Sequence, residues 1–280
     1  MTFIKAVILG IVQGLTEFLP VSSSGHLAIL ENLMKIEEEN VLFFAAMLHF
    51  GTLISILLVY YKDIYFLIKE FCLVIFEVLS GKGLDLKKSH YRKLGLLIIT
   101  ASIPTAIIGF TFSDFFESLF HSFISVGIGL LITGTLLWIS EKIAKGQKNI
   151  TTAKYKDAFI IGVFQAIAIA PGISRSGATI VGSLFRGLTK EFTVRFSFLI
   201  SLPAVVGASL IEFSDAASQG FNGVEPIVII AGILAAALSG YAAINVMIRL
   251  VTNQKLFYFS FYTWALGVGI IIFSLMSPIY

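Results

Sequence analysis

Two stretches of the chain carry the same unusual pattern. Gly10-Ile11-Val12-Gln13 through Ser22-Ser23-Ser24-Gly25 matches Gly162-Val163-Phe164-Gln165 through Ser174-Arg175-Ser176-Gly177 at the glycines, glutamines, outer serines and closing glycines, all at an offset of 152 residues. Each stretch has a proline shortly before its serines, Pro20 and Pro171, and the same offset pairs Phe44 with Phe196. A repeat of this kind makes the chain two copies of one unit, as in membrane proteins built from internal repeats. Any fold it adopts must accommodate the same polar interruption twice.

The surroundings of the motif decide the solvent. Hydrophobic residues make up 57% of the 280, and mean hydropathy is +0.92, whereas an ordinary water-soluble domain is about half apolar at most. Several runs reach the length of about 20 residues that a membrane helix needs and far exceed a barrel strand. The class is therefore a polytopic helical membrane protein. Lys5 followed by an apolar run resembles a cleavable secretion signal, but the recurrence of the pattern in mid-chain argues against that reading. The single Cys72 excludes an intramolecular disulfide and a multi-cysteine metal site. A net charge of +3 spread over loops speaks for orientation in a bilayer, and no nucleic-acid partner is expected.

After its motif, the first half shows spans near 41–61, 90–112 and 119–139, and the second near 191–213, 225–248 and 257–277. Three crossings per copy make the second copy enter from the opposite side. The expected fold is all-α: two inverted repeats, 1–145 and 156–280, forming one integral membrane domain with six full spans. Each repeat adds a re-entrant helical hairpin, about 3–35 and 158–188, and residues 62–80 read as an interfacial helix. Proline breaks each hairpin and serine caps the helix that follows. Broken backbone at membrane depth survives only inside protein or beside a water-filled cavity. The two tips should thus meet near the midplane, each presenting a helix N-terminus, which together make an anion site.

Few polar groups lie at that depth. Gln13 and Glu17 share one face of the first hairpin helix, and a buried carboxylate is too costly to be incidental. Its alternatives are a functional role or a bland one, snorkelling or a structural ion pair with Arg175. Ser23 and His26 are three apart at the start of the next helix, and Ser22 is four from His26, a spacing that suits a nucleophile beside a general base or acid. Arg175, between Ser174 and Ser176, offers a fork of donors that fits phosphate bidentately. Ser24 and Ser176 read equally well as packing and capping residues. His49, His90 and His121 are not expected to be catalytic. Together the groups describe a site for a phosphorylated, lipid-borne substrate. A divalent cation between Glu17 and the phosphates would reconcile the carboxylate with an anion site; Glu17 as a general base is the competing role.

At these residues the chain resembles the bacitracin-resistance family of undecaprenyl-diphosphate phosphatases. Gln13 and Glu17 match its paired acidic or amide positions, "PVSSSGH" (Pro20 to His26) its serine-rich segment, and "PGISRSG" (Pro171 to Gly177) its second motif. The resemblance implies a bacterial inner-membrane hydrolase that removes the terminal phosphate of a C55 polyprenyl diphosphate for cell-wall synthesis and depends on a divalent cation, Mg²⁺ or Ca²⁺. It places Glu17, Ser23, His26 and Arg175 in the chemistry and Gln13 with Glu17 at the metal. Ser22, Ser24, Ser174, Ser176 and Gly177 then hold the phosphate. Gln13 is the weaker ligand of the two forms its position takes. His26 activates either Ser23 or a water, and the prenyl tail lies in the bilayer. A transporter or flippase for the lipid or another anion is the alternative from outside catalysis. A homodimer is compatible with the sequence, which leaves the oligomeric state open. Seventeen of the twenty lysines and arginines fall in the connections on one side, against Lys5 and Lys35 on the other. The positive-inside rule then puts both termini outside, with the loops at Asp114–Glu117 and Asp215–Glu225.

Overall fold

The computed structural model describes residues 1–36, 38–81, 88–120, 122–143, 146–207, 209, 224–253 and 255–276. Among them the named elements are helices: α1 (Phe3–Phe18), α2 (Ser23–Leu33), α3 (Glu38–Val59), α4 (Tyr61–Leu79), α5 (His90–Thr111), α6 (Ser113–Phe120), α7 (Phe123–Ser140), α8 (Tyr155–Ile167), α9 (Arg175–Phe185), α10 (Lys190–Leu199), α11 (Pro226–Thr252) and α12 (Phe257–Met276). Four of these, α5, α7, α11 and α12, are long and apolar enough to cross a membrane. A fifth crossing arises if α3 and α4, bent by 88° at their junction, count together. The chain is a multi-pass, all-helical membrane protein.

Four expected spans coincide with α5, α7, α11 and α12, the one at 41–61 with α3, and the interfacial helix expected at 62–80 corresponds to α4. The span expected at 191–213 is seen as α10 followed by a helical stretch at 201–207, and its end lies outside the described residues. So do His121 and most of the loop at 215–225. The connection at Asp114–Glu117 is not a loop but the short helix α6, with Asp114 in its first turn, where a carboxylate favours the helix dipole.

The hairpins break where the sequence dictates. Leu19, before Pro20, is extended (φ −73°, ψ 145°) and ends α1, as the residue ahead of a proline prefers. Ser22 then caps α2 by accepting from Gly25 N–H at 3.3 Å. In the second copy, Gly172 takes a φ of 82° and its missing Cβ would lie 2.1 Å from the Val126 carbonyl oxygen, so only glycine fits. Ser174 caps α9 through Gly177 N–H at 3.1 Å.

Packing crosses between the copies. Helix α1 lies along α11 and α8 along α5. At both crossings a repeat glycine lets the backbones touch, since a Cβ on Gly10 would sit 2.4 Å from Gly232 O, and one on Gly162 would sit 2.1 Å from Ala101 O. Close approach at small residues is the main attraction available where lipid removes the hydrophobic drive. The crossings anchor two matching cores: Ala6, Leu9, Phe44, Leu48 and Ala236 in one, and Leu97, Ala101, Ile161, Phe196 and Leu199 in the other. Phe44 and Phe196, paired by the repeat offset, are both almost fully buried.

Charges gather at one end of the bundle. Arg195 holds Asp63 at 2.6 Å, Arg186 and Lys148 hold Asp157 at 2.6 and 2.9 Å, and Arg92 holds Glu77 at 2.8 Å. At that end Glu141 also accepts from Leu256 N–H at 2.8 Å at the start of α12.

Candidate active site

The two hairpin tips touch. Gly172 N–H donates to Ser24 Oγ at 3.4 Å, and Ser176 Oγ donates to the Leu19 carbonyl at 3.3 Å. Across the contact, Arg175 Nη2 forms a close ion pair with Glu17 Oε1. Both residues owe their positions to the breaks: Glu17 is one residue from the end of α1, and Arg175 is the first residue of α9. The ion pair weighed from the sequence is therefore formed, and it lies inside the cavity rather than apart from it.

That cavity, about 450 Å³, is lined by Glu17, Ser23, Ser24, His49, Gln165 and Arg175, with Phe120 of α6 at its edge. Ser23 Oγ donates to Glu17 Oε2 at 2.7 Å, and Gln13 Nε2 donates to the same oxygen at 3.2 Å. Ser22 and Ser24 hydroxyls are 3.2 Å apart, as are Ser174 and Ser176. The first N–H groups of a helix have no partner within it. With Gly25 and Gly177 capped, those of Ser23, Ser24, Arg175 and Ser176 remain available to an anion.

His26 is the candidate that stands apart. Its Nδ1 lies 2.8 Å from the Ser22 carbonyl and its Nε2 lies 2.6 Å from Tyr262 Oη on α12. A carbonyl only accepts, so Nδ1 carries the hydrogen and Nε2 accepts from the tyrosine. The Ser23–His26 contact expected from the spacing is not formed, because the carbonyl four residues back and the Tyr262 hydroxyl take both ring nitrogens. Ser23 is turned to Glu17 instead.

His49 occupies the place sequence reading denied it, with Nε2 3.7 Å from Glu17 Oε2. The available signal was its depth in a span, where an ionisable side chain is a functional candidate by default. Gln165, the repeat partner of Gln13, also lines the cavity, and Gln13 Oε1 and Gln165 Oε1 are both buried without a hydrogen-bond partner. For a divalent cation the donors fit in one specific way. The Glu17 carboxylate and the Ser23 hydroxyl bonded to it are hard oxygens of the sort Mg²⁺ or Ca²⁺ takes, whereas Gln13 turns its Nε2 and not its orphaned Oε1 to Glu17. No group of three His, Cys, Asp or Glu that could cage an ion exists among the described residues. The set suits an ion that shares its shell with phosphate oxygens.

A buried carboxylate, a guanidinium and two serine-capped helix ends meet in one cavity of a membrane protein, an arrangement suited to an anionic ligand. The chain belongs to the bacitracin resistance protein BacA family, whose model matches residues 6–269. It is 52% identical over 276 residues to an undecaprenyl-diphosphatase of Alkaliphilus metalliredigens, covering 99% of this chain and 100% of that protein. Proteins of the same name from Carboxydothermus hydrogenoformans and Halothermothrix orenii are 42% identical over 274 residues, covering 97% and 98% of this chain and 97% and 99% of theirs.

Proposed function

We propose that the protein removes the terminal phosphate of undecaprenyl diphosphate and so regenerates the undecaprenyl phosphate carrier used in cell-wall synthesis. The observation that carries this reading is the meeting of Arg175 and Ser23 at Glu17 between two free helix N-termini. The names of the full-length relatives favour hydrolysis over transport. Arg175 and the N–H groups of α2 and α9 hold the terminal phosphoryl group. Ser23 Oγ attacks phosphorus while its proton passes to Glu17 Oε2, already its hydrogen-bond partner. The new Oγ–P bond replaces the bond to the bridging oxygen, which leaves as undecaprenyl phosphate, and water then cleaves the phosphoserine. A divalent cation, when bound at Glu17, supplies charge that offsets the diphosphate. His26, fixed by Ser22 and Tyr262, stands beside this step and holds α2 to α12.

The tail has a path. Ser23, His26, Ile29 and Leu33 follow one another at helical spacing down α2. Ile29 and Leu33 line an apolar groove of about 430 Å³ with Phe123, Leu266, Ile270 and Phe273. We place the first isoprene units there.

Six spans in two inverted repeats account for the packing: α1 on α11 is answered by α8 on α5, and α7 and α12, equivalent in the two copies, lie side by side. The basic end, with its ion pairs, is then cytoplasmic. The termini and the entrance of the first hairpin are on the outer face of the bacterial inner membrane.

Phosphate release from undecaprenyl diphosphate by the purified protein in detergent tests the function. Release no faster than from a Glu17→Gln, Arg175→Gln double variant would leave the transporter reading in its place.

A further inference from the structure

His49 has no part in the steps above, yet it faces the centre of the site. Its Nδ1 lies 2.8 Å from the Ala45 carbonyl oxygen, so that nitrogen carries a hydrogen and Nε2 is the ring atom turned to the site. Nε2 lies 3.7 Å from Glu17 Oε2, too far for a hydrogen bond, and both residues line the cavity. Glu17 already has Arg175 as its counter-charge. A diphosphate brings further negative charge, which makes a divalent ion the natural occupant. The spacing lets both atoms reach one ion through bonds of about 2.1 Å. A backbone carbonyl that fixes the far ring nitrogen is also the usual support of a metal-bound histidine.

We infer that His49 Nε2 is a ligand of the divalent cation at Glu17, beside the Glu17 carboxylate and Ser23 Oγ. The inference rests on the cation reading proposed above and extends it to a residue type that changes selectivity. Imidazole nitrogen favours Mn²⁺ and later first-row ions over Ca²⁺, which prefers oxygen throughout. Gln13, an amide where a second carboxylate would bind more strongly, leaves the site in need of another donor, and His49 supplies it.

The test uses the detergent-solubilised full chain with methylene diphosphonate in place of the substrate diphosphate. Mn²⁺ and Ca²⁺ affinities are measured for the wild type, His49→Gln and Glu17→Gln, Mn²⁺ by loss of the free-ion electron paramagnetic resonance signal and Ca²⁺ by competition. His49→Gln should weaken Mn²⁺ at least about tenfold while moving Ca²⁺ less than about threefold. Equal loss of both ions, or of neither, overturns the inference. Spin-echo spectra of Mn²⁺ on the wild type should show a directly bound nitrogen. Their lack of one overturns it too, whether or not the variant folds. The cation reading is judged separately by Glu17→Gln: wild-type Mn²⁺ affinity in that variant removes the ion from Glu17 altogether.

Discussion

Replacing Arg175 with lysine keeps the charge and removes the shape. The guanidinium has five N–H donors in a rigid fork. One nitrogen, Nη2, is engaged by Glu17 Oε1, and the side chain is 24% exposed toward the cavity, so the other nitrogens stay free for the phosphoryl oxygens. A lysine ammonium is a single point of charge on a differently shaped stem. It can serve Glu17 or the phosphate, and the buried carboxylate, 5% exposed, will keep it. The loss is then two charge-assisted hydrogen bonds at about 1.5 kcal/mol or more each, roughly 3 kcal/mol, or on the order of 150-fold in kcat/KM. The fold should survive, since α9 is capped by Ser174 and not by residue 175. Initial rates of phosphate release from undecaprenyl diphosphate, with thermal unfolding as a control, give the comparison. A well-folded Arg175→Lys enzyme within about tenfold of wild type, a deficit of only about 1.4 kcal/mol, refutes the clamp.

Ser23→Ala should abolish turnover, and undecaprenyl diphosphate labelled in its terminal (β) phosphate and quenched in acid should leave the labelled phosphoryl group on Ser23 of the wild type. Full activity in Ser23→Ala sends the attack to water. Gly162→Ala forces a Cβ to 2.1 Å from Ala101 O, and Gly10→Ala one to 2.4 Å from Gly232 O. Each should cost about 1–3 kcal/mol by prising helices apart, and an unchanged melting temperature in both would mean that the crossings are looser than described. At the charged end, burial works against the Asp157 carboxylate, but the Lys154 N–H, Lys148 and Arg186 outweigh it and hold its pKa below the ordinary value. A depressed native pKa stabilises the fold above the unfolded value, about 3.9, and the contribution is lost as pH falls below that. Asp157→Asn should therefore lower stability at pH 7 and flatten the acid limb of the stability profile; an unaltered limb would discount these ion pairs.

Much of this was legible in one dimension because the medium is severe. In an apolar chain a proline followed by a cluster of serines and a glycine stands out as a break, although a proline alone does not make one, since Pro104 lies inside α5, and the repeat doubles the signal. The hairpins accordingly begin and end within a few residues of their expected places. Side-chain direction was less legible. Spacing put His26 on the Ser23 side of α2, but a histidine one turn into a helix has a carbonyl four residues back within reach, and Ser22 O wins Nδ1. Its other partner, Tyr262, hides in the aromatic run Phe257 to Trp264, where nothing separates a tyrosine bonded to the site from its lipid-facing neighbours. His49 was discounted because a lone histidine in a span more often packs than binds, and only the approach of α3 to α1 sets it against Glu17.

What the sequence repeat shares and what it does not bear on the proposed two-copy architecture. Both hairpins keep the capping serine, the crossing glycine and a buried glutamine with an unpartnered amide oxygen; these build the frame. At the same offset of 152, however, Glu17 corresponds to Ile169, Ser23 to Arg175, His26 to Ala178 and His49 to Ser201. Ser23 and Arg175 thus occupy equivalent positions on the two tips and face the same cavity. A pair of identical units related by two-fold symmetry would place serine opposite serine, with no cation for the phosphate, or arginine opposite arginine, with no acceptor for the attacking proton. Phosphoryl transfer needs both at one point. In the proposed reading, joining the copies in a single chain lets the equivalent positions diverge, and the proposed site lies where the two unlike tips touch.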